Sequence, residues 1–252
     1  MDLARQDIIN SEQRNNSFHS GKVHIAERLT GGKGRFKRRW HAPEGGIWLV
    51  LVLVNTMLNK YARLLPLAAG VACCESVRHF GVPAHIKWVN DVHVEGKKIA
   101  GILMETMLGP TTKEEYVLMG IGLNVNNTIF PEEIARSAAG MREYLPENLQ
   151  LSQVAAVLIA KLAWNFGLLC YQEQTEMSEM PCGGRGVMSP VIQAWTSMSD
   201  TIGRRVRYGF NVVSEPQYLA DAVGLADSGA LIMRLPDGRE IIEAGGEIVY
   251  LD

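Results

Sequence analysis

The stretch His85–Thr106, HIKWVNDVHVEGKKIAGILMET, constrains the fold of this chain more than any other. Its first residues predict a short buried strand, which ends just before a polar break at Asn90 and Asp91. A β-hairpin is predicted next, with residues 92–95 and 97–105 pairing across a Glu-Gly turn. The second hairpin strand is nearly all apolar, so we expect it to be central and covered on both faces.

Lys87 lies near the end of the first of these strands, shortly before the polar break. A cation in a buried strand is costly without a partner, and an anion is the natural one. For a single lysine, an exposed position at a strand end is the simpler alternative. A group of cations earlier in the chain favours an anionic ligand: Lys33, Arg35, Lys37, Arg38 and Arg39.

These cations belong to residues 31–40, GGKGRFKRRW, which we call the basic loop. Its glycines allow backbone N–H groups to approach an anion closely, and its arginines offer paired donors to phosphoryl oxygens. Because the charges repel one another, we expect the loop to be disordered until it folds over a bound anion. The loop lacks the third glycine of a dinucleotide fold, and the chain has no GxxxxGK[ST] motif. Taken alone, the loop also fits a generic nucleic-acid contact.

The composition is that of a soluble globular protein, with 47% apolar and 21% charged residues. The net charge of −2 gives no general attraction to nucleic acid or to an anionic membrane. The longest apolar run, residues 47–54, is too short to span a bilayer, and no signal sequence opens the chain. The cysteines show no CxxC spacing and the six histidines no HxxxH pair, which predicts reduced thiols in a cytoplasmic protein without a structural metal.

Apolar periodicity and turn residues predict two domains, 1–198 and 199–252. In the first, we expect helices over residues 1–14, 67–80 and 151–171, and further strands over 22–28, 47–54 and 116–125. The third helix carries a helically spaced apolar face: Val154, Leu158, Leu162, Phe166 and Leu169. Gln172 to Pro190 predicts a mobile surface loop. In the second domain, short strands separated by tight turns predict a small β-barrel: 204–211, 217–225, 230–235 and 241–250.

Five blocks of sequence, in the same order, resemble the biotin protein ligases of the biotin/lipoate ligase superfamily: GKGRFKRRWHAPEGGIWL, LPLAAGVA, KWVNDVHVEGKKIAGILMET, GIGLNVN and AGGEIVYL. The likeness covers nearly the whole chain. It implies an α+β fold in which a mixed β-sheet is flanked by helices, as in the class II aminoacyl-tRNA synthetase-like core of this superfamily. It also implies a small SH3-like β-barrel at the C-terminus.

The resemblance implies a two-step ligase. The carboxylate of biotin attacks the α-phosphate of ATP, with Mg²⁺ on the phosphates, and a lysine of a biotin carboxyl carrier domain then attacks the biotinyl-adenylate. By position, Lys87 and Arg35 are the catalytic cations, and they offset the repulsion between the two reacting anions. The substrate contacts implied in the same way are Lys33, Gly34, Arg38, Trp40, Gly46, Trp88, Asn90, Gly101, Ile102, Leu103 and Asn124.

Two departures from the family pattern keep other functions open. Leu29 stands where the family has a glutamine that contacts biotin, and the family's Ser-Thr pair before the first helix has no counterpart in a chain that opens MDLAR. A lipoate or octanoate ligase or transferase is therefore one alternative, and a non-catalytic biotin-ligase-like binding protein is another. The helix-turn-helix of repressor-type relatives also has no counterpart, so we expect no operator binding. Family members dimerise through sheet edges, and the sequence does not decide whether this chain forms a homodimer.

Overall fold

The computed structural model of the protein describes residues 1–178 and 188–251. Its helices are α1 (Asp2–Gln13), α2 (Asn59–Ala62), α3 (Leu65–His79), α4 (Leu151–Ser178) and α5 (Pro190–Met198). Its strands are β1 (Lys22–Ala26), β2 (Gly46–Val54), β3 (His85–Lys87), β4 (Asp91–Val94), β5 (Lys97–Leu108), β6 (Glu115–Asn124), β7 (Arg205–Gly209), β8 (Tyr218–Leu225), β9 (Leu231–Arg234), β10 (Glu240–Glu243) and β11 (Glu247–Tyr250). The fold is α+β, as predicted.

The chain forms two compact units, each made from two separate stretches. The first unit comprises Met1–Thr56 and Gly96–Ala156, and the second comprises Met57–Glu95 and Val157–Asp252. The turn predicted at Glu95 and Gly96 is confirmed, because both residues have positive φ, 51° and 77°. Positive φ at both central residues is the geometry of a tight two-residue hairpin turn.

In the first unit, β1, β2, β6 and β5 form a sheet in that order. Each of these neighbouring pairs is antiparallel, whereas we predicted a mixed sheet. The reason is local for β5 and β6, since the short turn between them permits only antiparallel pairing. The expectation that the whole of β5 is covered was also too broad. Its first residues, such as Ile99 and Ala100, are buried, but Leu108 is 63% exposed.

Helix α1 closes one face of this sheet. Ala4 and Ile8 are buried against a cluster that includes Phe18, Val52 and Tyr116. The packing follows from sequence, because residues four apart lie on the same side of a helix. Phe18 and Tyr116 meet edge to face, with ring centroids 5.6 Å apart, an arrangement that aromatic pairs favour.

In the second unit, α3 is buried over most of its length. Gly70 brings it close to the polar break, because a Cβ on Gly70 would lie 3.2 Å from the Cα of Asn90. Strands β3 and β4 pair antiparallel, with Lys87 opposite Asp91. A break at Asn90 is confirmed, but Asp91, which was predicted to belong to it, is the first residue of β4.

The C-terminal part of the second unit is an antiparallel sheet with the strand order β10, β9, β8, β7, β11. We predicted a single strand over 241–250, and the structure instead has β10 and β11. The chain turns at Gly246, which has φ 114°, and the Tyr208 hydroxyl donates a hydrogen bond to the Gly245 carbonyl at 2.7 Å. No strand ladder among the described residues joins β10 to β11, so the sheet is open where we predicted a barrel.

The predicted apolar face of α4 is confirmed, because all five of its residues are buried: Val154, Leu158, Leu162, Phe166 and Leu169. It continues to Ser178, so the first part of the predicted loop at Gln172 to Pro190 is helical. Residues 179–187 of that loop lie outside the described residues, and Pro190 begins α5. By length and composition alone α4 could cross a bilayer, but core helices of soluble proteins meet the same criterion, so this is weak evidence.

Candidate active site

The basic loop lies in the first unit and closes on itself through backbone hydrogen bonds. The Gly34 N–H donates to the Arg38 carbonyl at 2.7 Å, and the Trp40 N–H donates to the Gly32 carbonyl at 2.9 Å. We predicted that the loop orders only around an anion. These backbone bonds do not test that expectation, which stays a prediction.

Some of the positive charge of the loop is offset by neighbours in the same unit. The Lys33 ammonium lies 3.2 Å from the carboxylate of Asp2. The guanidinium carbons of Arg35 and Arg38 lie 6.0 and 5.4 Å from the ring centroid of Phe36. Contact with an aromatic face stabilises a guanidinium without neutralising it. Both guanidinium groups therefore lie beside the same aromatic ring.

Trp40, at the end of the loop, lies against two paired glycines of the sheet. Gly101 of β5 and Gly122 of β6 are directly opposite each other. A Cβ on Gly122 would lie 2.5 Å from the Trp40 indole, and a Cβ on Gly101 would lie 3.0 Å from it. The Lys98 ammonium lies 5.4 Å from the centroid of the same indole. Both glycines are thus required by the indole, and any larger residue would displace it.

Sequence reasoning assigned Gly101 to the pocket and missed Gly122. The signal was present in the GIG of GIGLNVN, since a glycine within a buried strand often marks a place where a ligand or another part of the chain comes close to the backbone. The indole nitrogen of Trp40 is buried and has no hydrogen-bond acceptor among the described residues. A buried donor without an acceptor is unusual in native proteins and suggests that a ligand or water completes it.

Gly46, Ile102 and Leu103 occupy strands beside this contact. Gly46 opens β2, and a Cβ there would collide with the Trp48 ring and lie 2.9 Å from the Leu123 carbonyl oxygen. Packing therefore accounts for this glycine. Ile102 is buried and Leu103 is half-buried on β5.

Asn124 ends β6, one residue before the predicted end of that strand. Its side chain is buried, and its Oδ1 accepts a hydrogen bond from Asn127 Nδ2 at 3.0 Å. Asn127 Oδ1 in turn accepts the Val125 N–H at 3.0 Å. The amides hold the chain in a fixed turn at the edge of the sheet. Leu29, which replaces the glutamine of the family, is 42% exposed.

Lys87 lies in the second unit, at the end of β3. Its ammonium is 5.0 Å from the ring centroid of Tyr250, the last residue of β11. The Tyr250 hydroxyl donates to Asp200 Oδ1 at 2.8 Å, and His93 Nε2 lies 3.0 Å from the same oxygen. Sequence reasoning missed these residues, because positions so far apart in the chain leave no local motif.

The Asp200 carboxylate is stabilised in its charged form. Burial alone would raise its pKa, but hydrogen bonds from His93 and Tyr250 and the nearby Arg204 guanidinium outweigh burial and lower the pKa to about 2. Burial raises the pKa of Tyr250, and Asp200 adds to this shift. Asp200 is therefore ionised and Tyr250 protonated at neutral pH.

Trp88 and Asn90 complete the predicted site residues of the second unit. Trp88 is buried, its N–H donates to Thr201 Oγ1 at 3.0 Å, and its indole nitrogen lies 3.4 Å from the Gly229 carbonyl oxygen. Asn90 is half-buried beside α3. The structure thus brings together the basic loop, Trp40 and the glycine strands in the first unit, and Lys87, Trp88 and Asn90 in the second. Their roles with substrate stay predictions.

The cysteines do not form a catalytic or metal centre among the described residues. Cys73 and Cys74 are buried free thiols and Cys170 is an exposed one, while Cys182 lies outside the described residues. Burial raises the pKa of the Cys74 thiol to about 12, which makes it a poor nucleophile. The described chain also contains no cluster of three side chains able to hold a metal ion.

Comparison with known proteins places the chain in a family. The model of the biotin/lipoate A/B protein ligase family matches residues 3–124. The bifunctional ligase/repressor BirA of Bacillus spizizenii is 30% identical over 98% of this chain and 74% of its own length. The biotin–[acetyl-CoA-carboxylase] ligase of Mycobacterium tuberculosis is 29% identical over 92% of this chain and 79% of its own length.

Solved structures show the same fold. The biotin protein ligase of Aquifex aeolicus in complex with biotin and ATP has a TM-score of 0.74 at 22% identity, and covers 96% of this chain and 94% of that one. The Leishmania major enzyme in complex with biotinyl-5-AMP has a TM-score of 0.59 at 20% identity, with 96% and 93% covered. With this fold and these relatives, the chain belongs to the biotin/lipoate A/B protein ligase family, and the resemblance to biotin protein ligases drawn from its sequence is confirmed.

Proposed function

We propose that this protein is a biotin protein ligase, which makes biotinyl-5′-AMP from biotin and ATP and transfers the biotin to a lysine of a biotin carboxyl carrier domain. The alignment with a ligase/repressor at 30% identity over 98% of the chain carries this proposal. It spans the basic loop, the strand that bears Lys87 and the C-terminal sheet. A similarity confined to one motif would not support a complete reaction.

In the first step, a carboxylate oxygen of biotin forms a bond to the α-phosphorus of ATP, and the bond to the departing pyrophosphate breaks. Two anions must approach each other, which is unfavourable without cations. We assign this role to Lys87 and Arg35. A fixed positive charge stabilises the charge that develops on the phosphoryl oxygens in the transition state.

The nucleotide is proposed to bind at the basic loop and the adjoining strands. Lys33 and Arg38 are suited to phosphoryl oxygens because of their charge, and Gly34, which has no side chain, lets a phosphate come close to the backbone. Trp40 offers an indole face for the adenine. The loop would then exclude water from the reactive anhydride.

The remaining contacts are assigned by position in the family. Asn90 and Asn124 are proposed to bind the nucleotide, and the strand residues and Trp88 to shape the pocket: Gly46, Gly101, Ile102 and Leu103. Mg²⁺ is expected to arrive on the ATP phosphates and to keep several of its waters. A cation of that kind needs few protein ligands.

Finer features of the organisation are proposed on the same grounds. We infer that residues 199–252 form a C-terminal domain of the SH3-like type after a catalytic domain of residues 1–198.

We infer a cytoplasmic enzyme that binds neither DNA nor membranes. The free buried thiols of Cys73 and Cys74 support a reducing compartment. A homodimer paired through sheet edges is consistent with the family. Sequence-specific DNA retardation by the purified chain would contradict this account of its partners.

ATP–pyrophosphate exchange tests the proposal, measured with biotin, lipoate or octanoate as the acid. Exchange that requires biotin supports a biotin ligase. Exchange only with lipoate or octanoate indicates the related acyl ligases, an outcome that Leu29 in place of glutamine makes worth testing. Binding of ATP without exchange for any acid indicates a non-catalytic binding protein.

A further inference from the structure

The backbone on both sides of Lys87 is fixed by residues close to the C-terminal sheet. On the N-terminal side, the Ser199 hydroxyl donates to the Ile86 carbonyl at 2.7 Å. On the C-terminal side, the Trp88 N–H donates to Thr201 Oγ1 at 3.0 Å. Both hydroxyls come from the segment that leads into β7. The peptide that carries Lys87 is therefore held at each end.

Two indole nitrogens strengthen this attachment. Trp195 Nε1 donates to the Val89 carbonyl at 2.9 Å, and Trp88 Nε1 lies 3.4 Å from the Gly229 carbonyl oxygen. Trp88 and Trp195 are both almost fully buried. A lysine anchored at its backbone still has a long, rotatable side chain, so the groups around its ammonium decide where the charge lies.

The ring of Tyr250 supplies a constraint of that kind. The Lys87 ammonium lies 5.0 Å from its centroid, a distance at which a cation is attracted to an aromatic face. The ring is itself fixed, because the Tyr250 hydroxyl lies 2.8 Å from both Asp200 Oδ1 and Thr201 Oγ1. Thr201 thus joins the backbone next to Lys87 and the ring beneath its ammonium in one network.

We propose that Tyr250 is a positioning residue. Its ring holds the Lys87 ammonium where the carboxylate of the acid and the α-phosphate of ATP meet. This inference rests on the proposed function, in which Lys87 is the catalytic cation. The ring carries no net charge, so it orients the ammonium without neutralising it. A carboxylate in the same place would compete with the anionic substrates for the same charge.

Arg204 and His93 support the ring indirectly. The Arg204 guanidinium carbon lies 4.6 Å from the Tyr250 centroid, and its Nε donates to the Asp200 carbonyl at 3.0 Å. His93 lies on β4, and its Nε2 is 3.0 Å from Asp200 Oδ1. The position of the ring is therefore set by several groups, and a variant that keeps the ring should keep its effect.

The kinetic test compares Tyr250→Leu with Tyr250→Phe in biotin-dependent ATP–pyrophosphate exchange. Removing the ring should lower kcat about 5- to 30-fold, which is the range expected for a partly desolvated cation–π contact. The KM values for ATP and biotin should change by less than about twofold, because the effect falls on the transition state. Tyr250→Phe keeps the ring and should stay within about threefold of wild type. Tyr171→Leu, on the exposed face of α4, is the matched control.

A second measurement does not depend on catalysis. In protein labelled with ¹³C at the lysine ε-carbon, the Lys87 resonance, assigned with Lys87→Arg, should be shifted upfield by the ring current of Tyr250. The shift should persist in Tyr250→Phe and disappear in Tyr250→Leu. An unshifted Lys87 resonance in the wild-type protein would overturn the proposal, even if Tyr250→Leu failed to fold.

The two measurements separate failure of this inference from failure of the proposed function. A shifted Lys87 resonance in a protein without any exchange activity would place the error in the proposed function. Normal biotin-dependent exchange in Tyr250→Leu would refute the positioning role and leave the ligase intact. Equal losses in the Phe and Leu variants would contradict the prediction that the ring alone is enough to position Lys87.

Discussion

Replacement of Glu12 by Gln should destabilise the first unit strongly, although Glu12 lies outside the proposed active site. Glu12 is 3% exposed, yet its carboxylate is well bonded. It accepts the N–H groups of Thr111 and Thr112 at 2.8 and 3.1 Å, and the hydroxyls of Thr112 and Tyr116 at 2.6 and 2.8 Å. The residue ties α1 to the turn between β5 and β6.

The expected magnitude follows from the pKa of Glu12. Burial alone would raise the pKa, but the hydrogen bonds from Thr112, Thr111 and Tyr116 outweigh it and lower the pKa from 4.5 to about 2. At about 1.4 kcal/mol for each pKa unit, the charged form contributes about 3 kcal/mol. Gln removes the charge and turns an N–H₂ donor toward groups that are themselves donors. We therefore expect Glu12→Gln to lower the free energy of unfolding by about 2–3 kcal/mol at pH 7.

Urea unfolding followed by circular dichroism, repeated from pH 7 to pH 2, measures this loss. Because the pKa is lowered in the folded state, the stabilisation is complete above about pH 5 and is lost as the pH falls toward 2. The difference between wild type and Glu12→Gln should shrink over the same range. Glu133→Gln, at an exposed carboxylate, is the matched control. A Glu12→Gln variant as stable as wild type at pH 7, or a difference that does not change with pH, would refute the reasoning.

Three further predictions concern the active site. Lys87→Ala should abolish biotin-dependent pyrophosphate exchange while leaving the thermal midpoint nearly unchanged, and near-normal exchange would remove Lys87 from the mechanism. Arg35→Ala should release biotinyl-adenylate and biotinylate surface lysines of bystander proteins, whereas labelling as selective as that of wild type would contradict a loop that retains the adenylate. Gly122→Ala places a methyl group 2.5 Å from the Trp40 indole and should raise the KM for ATP about tenfold, because overpacking of this kind costs roughly 1–3 kcal/mol. An unchanged KM for ATP would show that the indole does not contribute to nucleotide binding.

The features that sequence predicted well depend on local chemistry. The apolar period of α4 and the Glu95-Gly96 turn are confirmed, and β6 lies within one residue of its predicted bounds. Each is decided within a few residues, by side-chain spacing or by backbone conformation. The family resemblance added the order of the elements, which local patterns alone do not determine.

The features that sequence missed depend on contacts between distant positions. Gly122 is explained only by the indole of Trp40, which is far from it in the chain. The single strand predicted over 241–250 divides because the chain turns at Gly246 beside the Tyr208 ring. Helix α4 extends past Tyr171 because nothing in its next turns breaks a helix, whereas the predicted loop began at Gln172. The spacing of apolar residues cannot reveal contacts between positions that are far apart in the chain.

The candidate site was predicted in part. The resemblance named residues of the basic loop and the strands, and the structure shows how Trp40 and Gly101 pack together. The resemblance did not name Asp200, His93 or Tyr250 as site residues. These three form a hydrogen-bonded network next to Lys87. Such a network is assembled by the fold from three separate elements.

The most direct test of the account is the detection of its intermediate. The purified protein is incubated with biotin, ATP and Mg²⁺, quenched, and analysed by mass spectrometry for biotinyl-5′-AMP. We predict about one equivalent of biotinyl-5′-AMP per chain, dependent on biotin and absent in Lys87→Ala. Bound ATP with no biotinyl-5′-AMP in the wild-type protein would contradict the claim that this chain activates biotin.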